Sequence, residues 1–125
     1  VGECRGEEVI DLMRVLNSGH CGGMSTLHAS GVSRVPGRLI SLGLLAHVEP
    51  NTMAGLADGA FDVVLHMERR PGKRYLAQIG MLCMVEGRLV GRTVCSWDGR
   101  GEPVAGEAWR PFAERWGTKR VPERR

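Results

Sequence analysis

"VGECRGEEVIDLMRVLNSGHCGGMSTLHAS" spans residues 1–30. It places an acid, an arginine and two imidazoles among glycines: Glu3, Arg5, His20 and His28. Between them Val9, Leu12, Met13 and Leu16 recur at helical spacing, which predicts an amphipathic helix over Glu7–Ser18. Glu7, Glu8 and Asp11 fall in its first turns, where the helix dipole favours anions, and Gly19 suits a C-cap. Val1-Gly2-Glu3 reads as the end of one strand and "GMSTLHAS" as the next, short and buried. Alternation along that second strand sends Met24, Thr26 and His28 one way, and Ser25 and Leu27 the other. Glu3 and His28 then share the carboxyl-end rim of one sheet, where open parallel sheets place their ligand sites. An acid and an imidazole on one rim can polarise a water or sense a phosphate.

Outward from this stretch the pattern changes. Residues 33–48 read as a helix from about Pro36, with Leu39, Leu42 and Ala46 on one face and Ile40 and Leu44 widening it. A second short helix begins near Pro50. "FDVVLHMER" (61–69) is a strand and "RPGK" (70–73) a turn. Two further strands, 74–85 and 88–98, flank a two-residue Glu86-Gly87 turn, which makes a β-meander. The expected fold is α/β: a parallel core with helices, finished by antiparallel edge strands. After Trp97 the pattern fades into a basic, weakly structured tail, residues 99–125. From Arg110 onward that tail holds six Lys or Arg against two Glu, with an amphipathic turn or two around Trp109, Phe112 and Trp116.

The bulk numbers are bounding rather than specific. With 125 residues there is room for one domain and one core. A net charge of +3 is explained by a solvated surface and gives no argument for nucleic acid. No apolar run reaches the roughly 18 residues that span a bilayer. Cys4, Cys21, Cys83 and Cys95 form no C-x-x-C pair, so neither a disulfide scaffold nor a zinc ribbon is indicated. A metal reading through His20, Cys21, His28 and Cys4 is disfavoured, because adjacent His20 and Cys21 cannot easily both face one tetrahedral ion.

The combination in residues 1–30 resembles the secretion ATPases of the type II and type IV pilus superfamily, most of all their tight-adherence (Tad, type IVc) branch. Gly2-Glu3-Cys4-Arg5 is similar to the end of that family's Walker B strand, and Ser18 to Ala29 to its His box. Arg38-Leu39 matches an Arg-Leu pair on the following helix, and Gly72-Lys73-Arg74 a basic turn; the likeness runs to about residue 98. The resemblance implies a RecA-like P-loop core that hydrolyses ATP with Mg²⁺, usually in a hexameric ring. By it, Glu3 is the catalytic acid acting on the Mg²⁺ shell through water, and His20 and His28 are catalytic groups lining the γ-phosphate. Gly2, Arg5, Gly19, Thr26 and Arg38 complete the nucleotide side. It also implies an inner-membrane platform protein as partner and a cytoplasmic place beside that membrane. No G-x-x-x-x-G-K-[ST] phosphate loop occurs in the sequence. The expectation is therefore the C-terminal half of a larger motor, inactive by itself; the alternative is a truncated, non-catalytic module that keeps ring contacts.

Overall fold

The computed structural model describes residues 8–19 and 23–116. Helix α1 runs Glu8–Asn17, with Glu8 and Asp11 in its first turn and Arg14 in its last, each sign matched to the helix dipole. Val9, Ile10 and Met13 form its buried stripe. A 3-10 turn, Val32–Arg34, leads directly into α2, Val35–Leu45. Pro36 occupies the first turn of α2, where a missing N–H costs nothing. The helix stops at Ala46, and His47 turns left-handed at φ 63°. Val48 N–H then bonds back to the Gly43 carbonyl at 2.8 Å, which closes the end. Glu49, extended at ψ 150°, precedes Pro50 and opens α3, Pro50–Ala60.

Four strands follow: β1 Val64–Arg70, β2 Lys73–Val85, β3 Arg88–Ser96 and β4 Val104–Ala105. Each pairs antiparallel with the next, in the order β1-β2-β3-β4. Glu86 and Gly87, with φ 51° and 78°, make the β2–β3 turn. Two consecutive positive φ values match the twist of a tight hairpin. Register shifts interrupt the ladders between His66 and Met67 and between Ile79 and Gly80.

The core joins Val9 and Met13 of α1, Leu39 and Leu42 of α2, Met53 and Ala57 of α3, and Leu82 and Leu89 of the sheet. Asn17 ties two of the helices, donating from Nδ2 to the Met13 carbonyl at 2.9 Å and the Leu56 carbonyl at 3.0 Å.

The expected meander is present, and so are the three helices expected before it. The parallel half is not seen among β1–β4, which pair antiparallel throughout. The strand expected to lie buried over 23–30 is reduced to one bridge residue, Thr26, and exposes Met24, Thr26 and His28, because no neighbouring strand among the described residues covers that face. The strand end expected at Val1-Gly2-Glu3 lies outside the described residues, as do Gly19's neighbours 20–22. Within the span read as a tail, β4 pairs with Cys95 and Ser96, and α4 (Trp109–Arg115) packs on β3. Backbone bonds from Gly106 N–H to Val94 O (2.8 Å) and Ala108 N–H to Thr93 O (3.0 Å) fix that crossing. Helix α4 lies where an amphipathic turn was expected around Trp109, Phe112 and Trp116; β4 was not expected, and its order comes from main-chain bonding.

Candidate functional site

The segment between α1 and the 3-10 turn carries the described part of the expected site. It leaves α1 through Gly19, exposed and left-handed at φ 102°. From Met24 to Ser30 the side chains alternate strictly. Met24, Thr26, His28 and Ser30 are exposed, while Ser25, Leu27 and Ala29 are half-buried. Leu27 and Ala29 pack on the helical core. The segment thus keeps the period of a strand with only Thr26 in a bridge.

The far end of the segment is pinned to the sheet. Val32 N–H donates to Gln78 Oε1 at 2.9 Å. Two glycines let the 3-10 turn down onto β2 and β3. A Cβ at Gly80 would stand 2.4 Å from Val32 Cγ1, and one at Gly91 would stand 2.3 Å from the Val32 carbonyl oxygen. No larger residue fits either place without moving Val32.

Arg38 lies on α2, half-buried. Its Nε is buried and has no hydrogen-bond partner among the described residues. A buried guanidinium N–H left unpaired is uncommon in folded proteins and suits a group that meets its acceptor from elsewhere. Gly2, Glu3, Arg5 and His20 lie outside the described residues. Of the expected set, the described residues include Gly19, Thr26, His28 and Arg38; the expected acid, Glu3, is not among them. Among the described residues no group of three or more His, Cys, Asp or Glu could hold a metal. Cys83 and Cys95 are free thiols, and no described helix is long and apolar enough to cross a membrane.

One polar cleft escaped the sequence reading. Ser30, His66, Glu68, Tyr75, Gln78, Ser96 and Trp97 line a depression of about 280 Å³. In it His66 Nε2 and Glu68 Oε2 stand 2.7 Å apart. The signal was available, since residues two apart on a strand share a face. Next to it, Asp98 Oδ1 accepts from the N–H groups of Arg100 (2.8 Å) and Gly101 (3.1 Å). Those two bonds hold the Asp98 carboxyl below the usual carboxylate range, with the nearby Arg70 charge adding to them.

Residues 1–85 match the family described as type II/IV secretion system protein. The chain belongs to that family. Among curated relatives, a Mycobacterium tuberculosis (strain H37Rv) protein named as a conjugal transfer protein is 43% identical over 95 residues. That alignment covers 75% of this chain and 27% of the relative. The type IV secretion system protein PtlH of Bordetella pertussis is 34% identical over 80 residues, covering 58% of this chain and 23% of its own length. The chain spans about a quarter of the length of these relatives.

Proposed function

We propose that this chain is the C-terminal half of the ATP-hydrolysing domain of a secretion motor of the tight-adherence type, which drives pilin assembly or protein export. Residues 1–98 form the ATPase half and 99–125 an appendage to it. The motor works as a hexameric ring on the cytoplasmic side of the inner membrane, against a platform protein in that membrane. In this reading Glu3 is the acid that orients the attacking water and holds the Mg²⁺ shell. His20 and His28 face the γ-phosphate, and Gly2, Arg5, Gly19 and Thr26 shape the nucleotide side. Arg38 braces the His segment.

The observation that carries the reading is the alternation over Met24–Ser30. It directs Thr26 and His28 outward on one side while Leu27 and Ala29 anchor the segment to the core. A segment fixed behind, with Thr26 and His28 exposed in front, can respond to a ligand without losing its place. The described residues fit a phosphate-bearing cofactor in one respect: Arg38 keeps a buried donor unpaired. Bound Mg²⁺ supplies neutralisation of the charge that develops on the transferred phosphoryl group.

The test uses a parent chain that includes a phosphate loop. Glu3→Gln should lower phosphate release about 100-fold or more, the scale of a positioned acid–base group, and leave nucleotide binding intact. Unchanged turnover would reject Glu3 as the catalytic acid. The 125-residue chain alone should release no phosphate from Mg-ATP, since the backbone cradle and lysine of a phosphate loop are not in it.

A further inference from the structure

The basic turn at the β1–β2 hairpin plays no part in the reading above. Arg70 and Lys73 close the hairpin across Pro71-Gly72, and Arg69 stands opposite Arg74 in the ladder. Like charges directly opposite on adjacent strands destabilise a hairpin unless something lies between them. Among the described residues neither Arg69 nor Arg74 has an ion-pair partner, and both are exposed.

The two inner cations are held differently. Arg70 donates from Nη2 to the Asp98 carbonyl, and Lys73 Nζ donates to the Gly99 carbonyl at 3.3 Å. The Arg70 guanidinium lies 5.3 Å from the Tyr75 ring centroid, and Lys73 Nζ lies 5.4 Å from the Trp97 ring centroid. The two rings meet edge to face at 5.7 Å. Carbonyls and ring faces fix these cations without neutralising them. The flanking carboxylates are engaged elsewhere: Glu68 with His66, and Asp98 Oδ1 with two backbone N–H groups. What results is an open cleft of about 330 Å³ lined by Arg69, Arg70, Gly72, Lys73 and Arg74, with no acid in the lining.

We propose that this hairpin tip is a seat for phosphate groups, in which Arg69 and Arg74, cross-strand partners on one face of the ribbon, grip the anion, while Arg70 and Lys73 on the other face add to the positive field at the tip. Two guanidiniums facing across a ladder present paired N–H forks, the geometry that matches phosphate oxygens. Glycine at 72 leaves the tip open to a close approach. The seat is independent of Glu3 and the histidines, so it stands or falls apart from the nucleotide reading.

The experiment titrates the 125-residue chain with sodium tripolyphosphate by calorimetry and, in a second arm, floats it with phosphatidylglycerol vesicles against phosphatidylcholine vesicles. Arg69→Gln/Arg74→Gln should weaken tripolyphosphate binding at least about tenfold, the scale of one charge-assisted contact. Arg14→Gln/Arg34→Gln removes the same charge from exposed positions elsewhere and should leave binding within about twofold, because distant exposed charges are screened. Arg69→Lys/Arg74→Lys keeps the charge and should bind between the two. Binding of tripolyphosphate but not vesicles identifies a soluble phosphate compound. Binding of phosphatidylglycerol vesicles that the hairpin variant abolishes identifies a lipid headgroup. Equal loss in both glutamine pairs, or no binding in either arm, overturns the proposal. If the double glutamine variant is unfolded by circular dichroism, Arg74→Gln alone decides: unchanged affinity overturns the seat.

Discussion

Arg115 Nη2 donates to Asp62 Oδ1 at 2.9 Å, joining the last turn of α4 to the residues just before β1. Both side chains are more than half exposed, so solvent screens the pair. Its value is at most about 1 kcal/mol. The bridge marks where α4 lies; it does not hold α4 there. Arg115→Ala should lower unfolding free energy by less than about 1 kcal/mol in urea titration. Leu42→Ala, which opens a fully buried site, should cost about 2–5 kcal/mol in the same assay. Equal losses would show that α4 depends on the ion pair.

Gly91→Ala should destabilise strongly, because its new methyl carbon would meet a backbone carbonyl that cannot rotate away. Overpacking of this kind costs about 1–3 kcal/mol. Gly101→Ala is the control, since nothing lies within 4 Å of a Cβ there. Thermal unfolding of the two variants side by side should show a clear fall for residue 91 and little change for residue 101.

The turn after β3 should respond to acid. The folded carboxyl of Asp98 titrates below its ordinary value of 3.8. A depressed carboxyl contributes stability that is present above the unfolded value and lost as pH falls through the folded one. Trp97 reports on the same turn, since its Nε1 donates to the Gly101 carbonyl at 2.6 Å. Its fluorescence should therefore change with a midpoint below 3.8, and Asp98→Asn should remove that transition. A change that survives the substitution would place the titrating group elsewhere.

In a parent chain with its phosphate loop, His20→Ala or His28→Ala should lower hydrolysis far more than it lowers melting temperature. His28 is exposed, so truncating it leaves no cavity in the core. His28 should be the more sensitive of the two, because Leu27 and Ala29 fasten its backbone to the helical core. Metal content measured on the same samples separates this from a zinc role, in which one bound ion would vanish on either substitution.

The helices and the meander were legible because each rests on a local signal. Val9, Leu12, Met13 and Leu16 repeat at helical period, Pro36 and Pro50 mark helix starts, and Glu86-Gly87 marks a hairpin. The alternation of Met24–Ser30 was legible for the same reason, although its exposure and its pairing were not. Whether a strand forms depends on a neighbour, and a single stretch of sequence does not carry its neighbour's register. The register shifts at His66/Met67 and Ile79/Gly80 left no local mark. The seating of Val32 on Gly80 and Gly91 joins residues far apart in the chain, and only the folded chain shows which glycines are contact points. The His66–Glu68 pair lies within reach of strand periodicity, since the two residues stand two apart on β1.

A sheet in which every strand pairs with its successor has a kinetic meaning. Turns of two residues join β1 to β2 and β2 to β3, so these ladders can zip from their own turns without closing a long loop. The helical layer has no such shortcut, because Asn17 must find Leu56 across 39 residues of chain. In refolding followed by pulsed hydrogen exchange, amides of β2 and β3 should gain protection before those of α1. The three-stranded meander would then serve as the surface on which the helices condense.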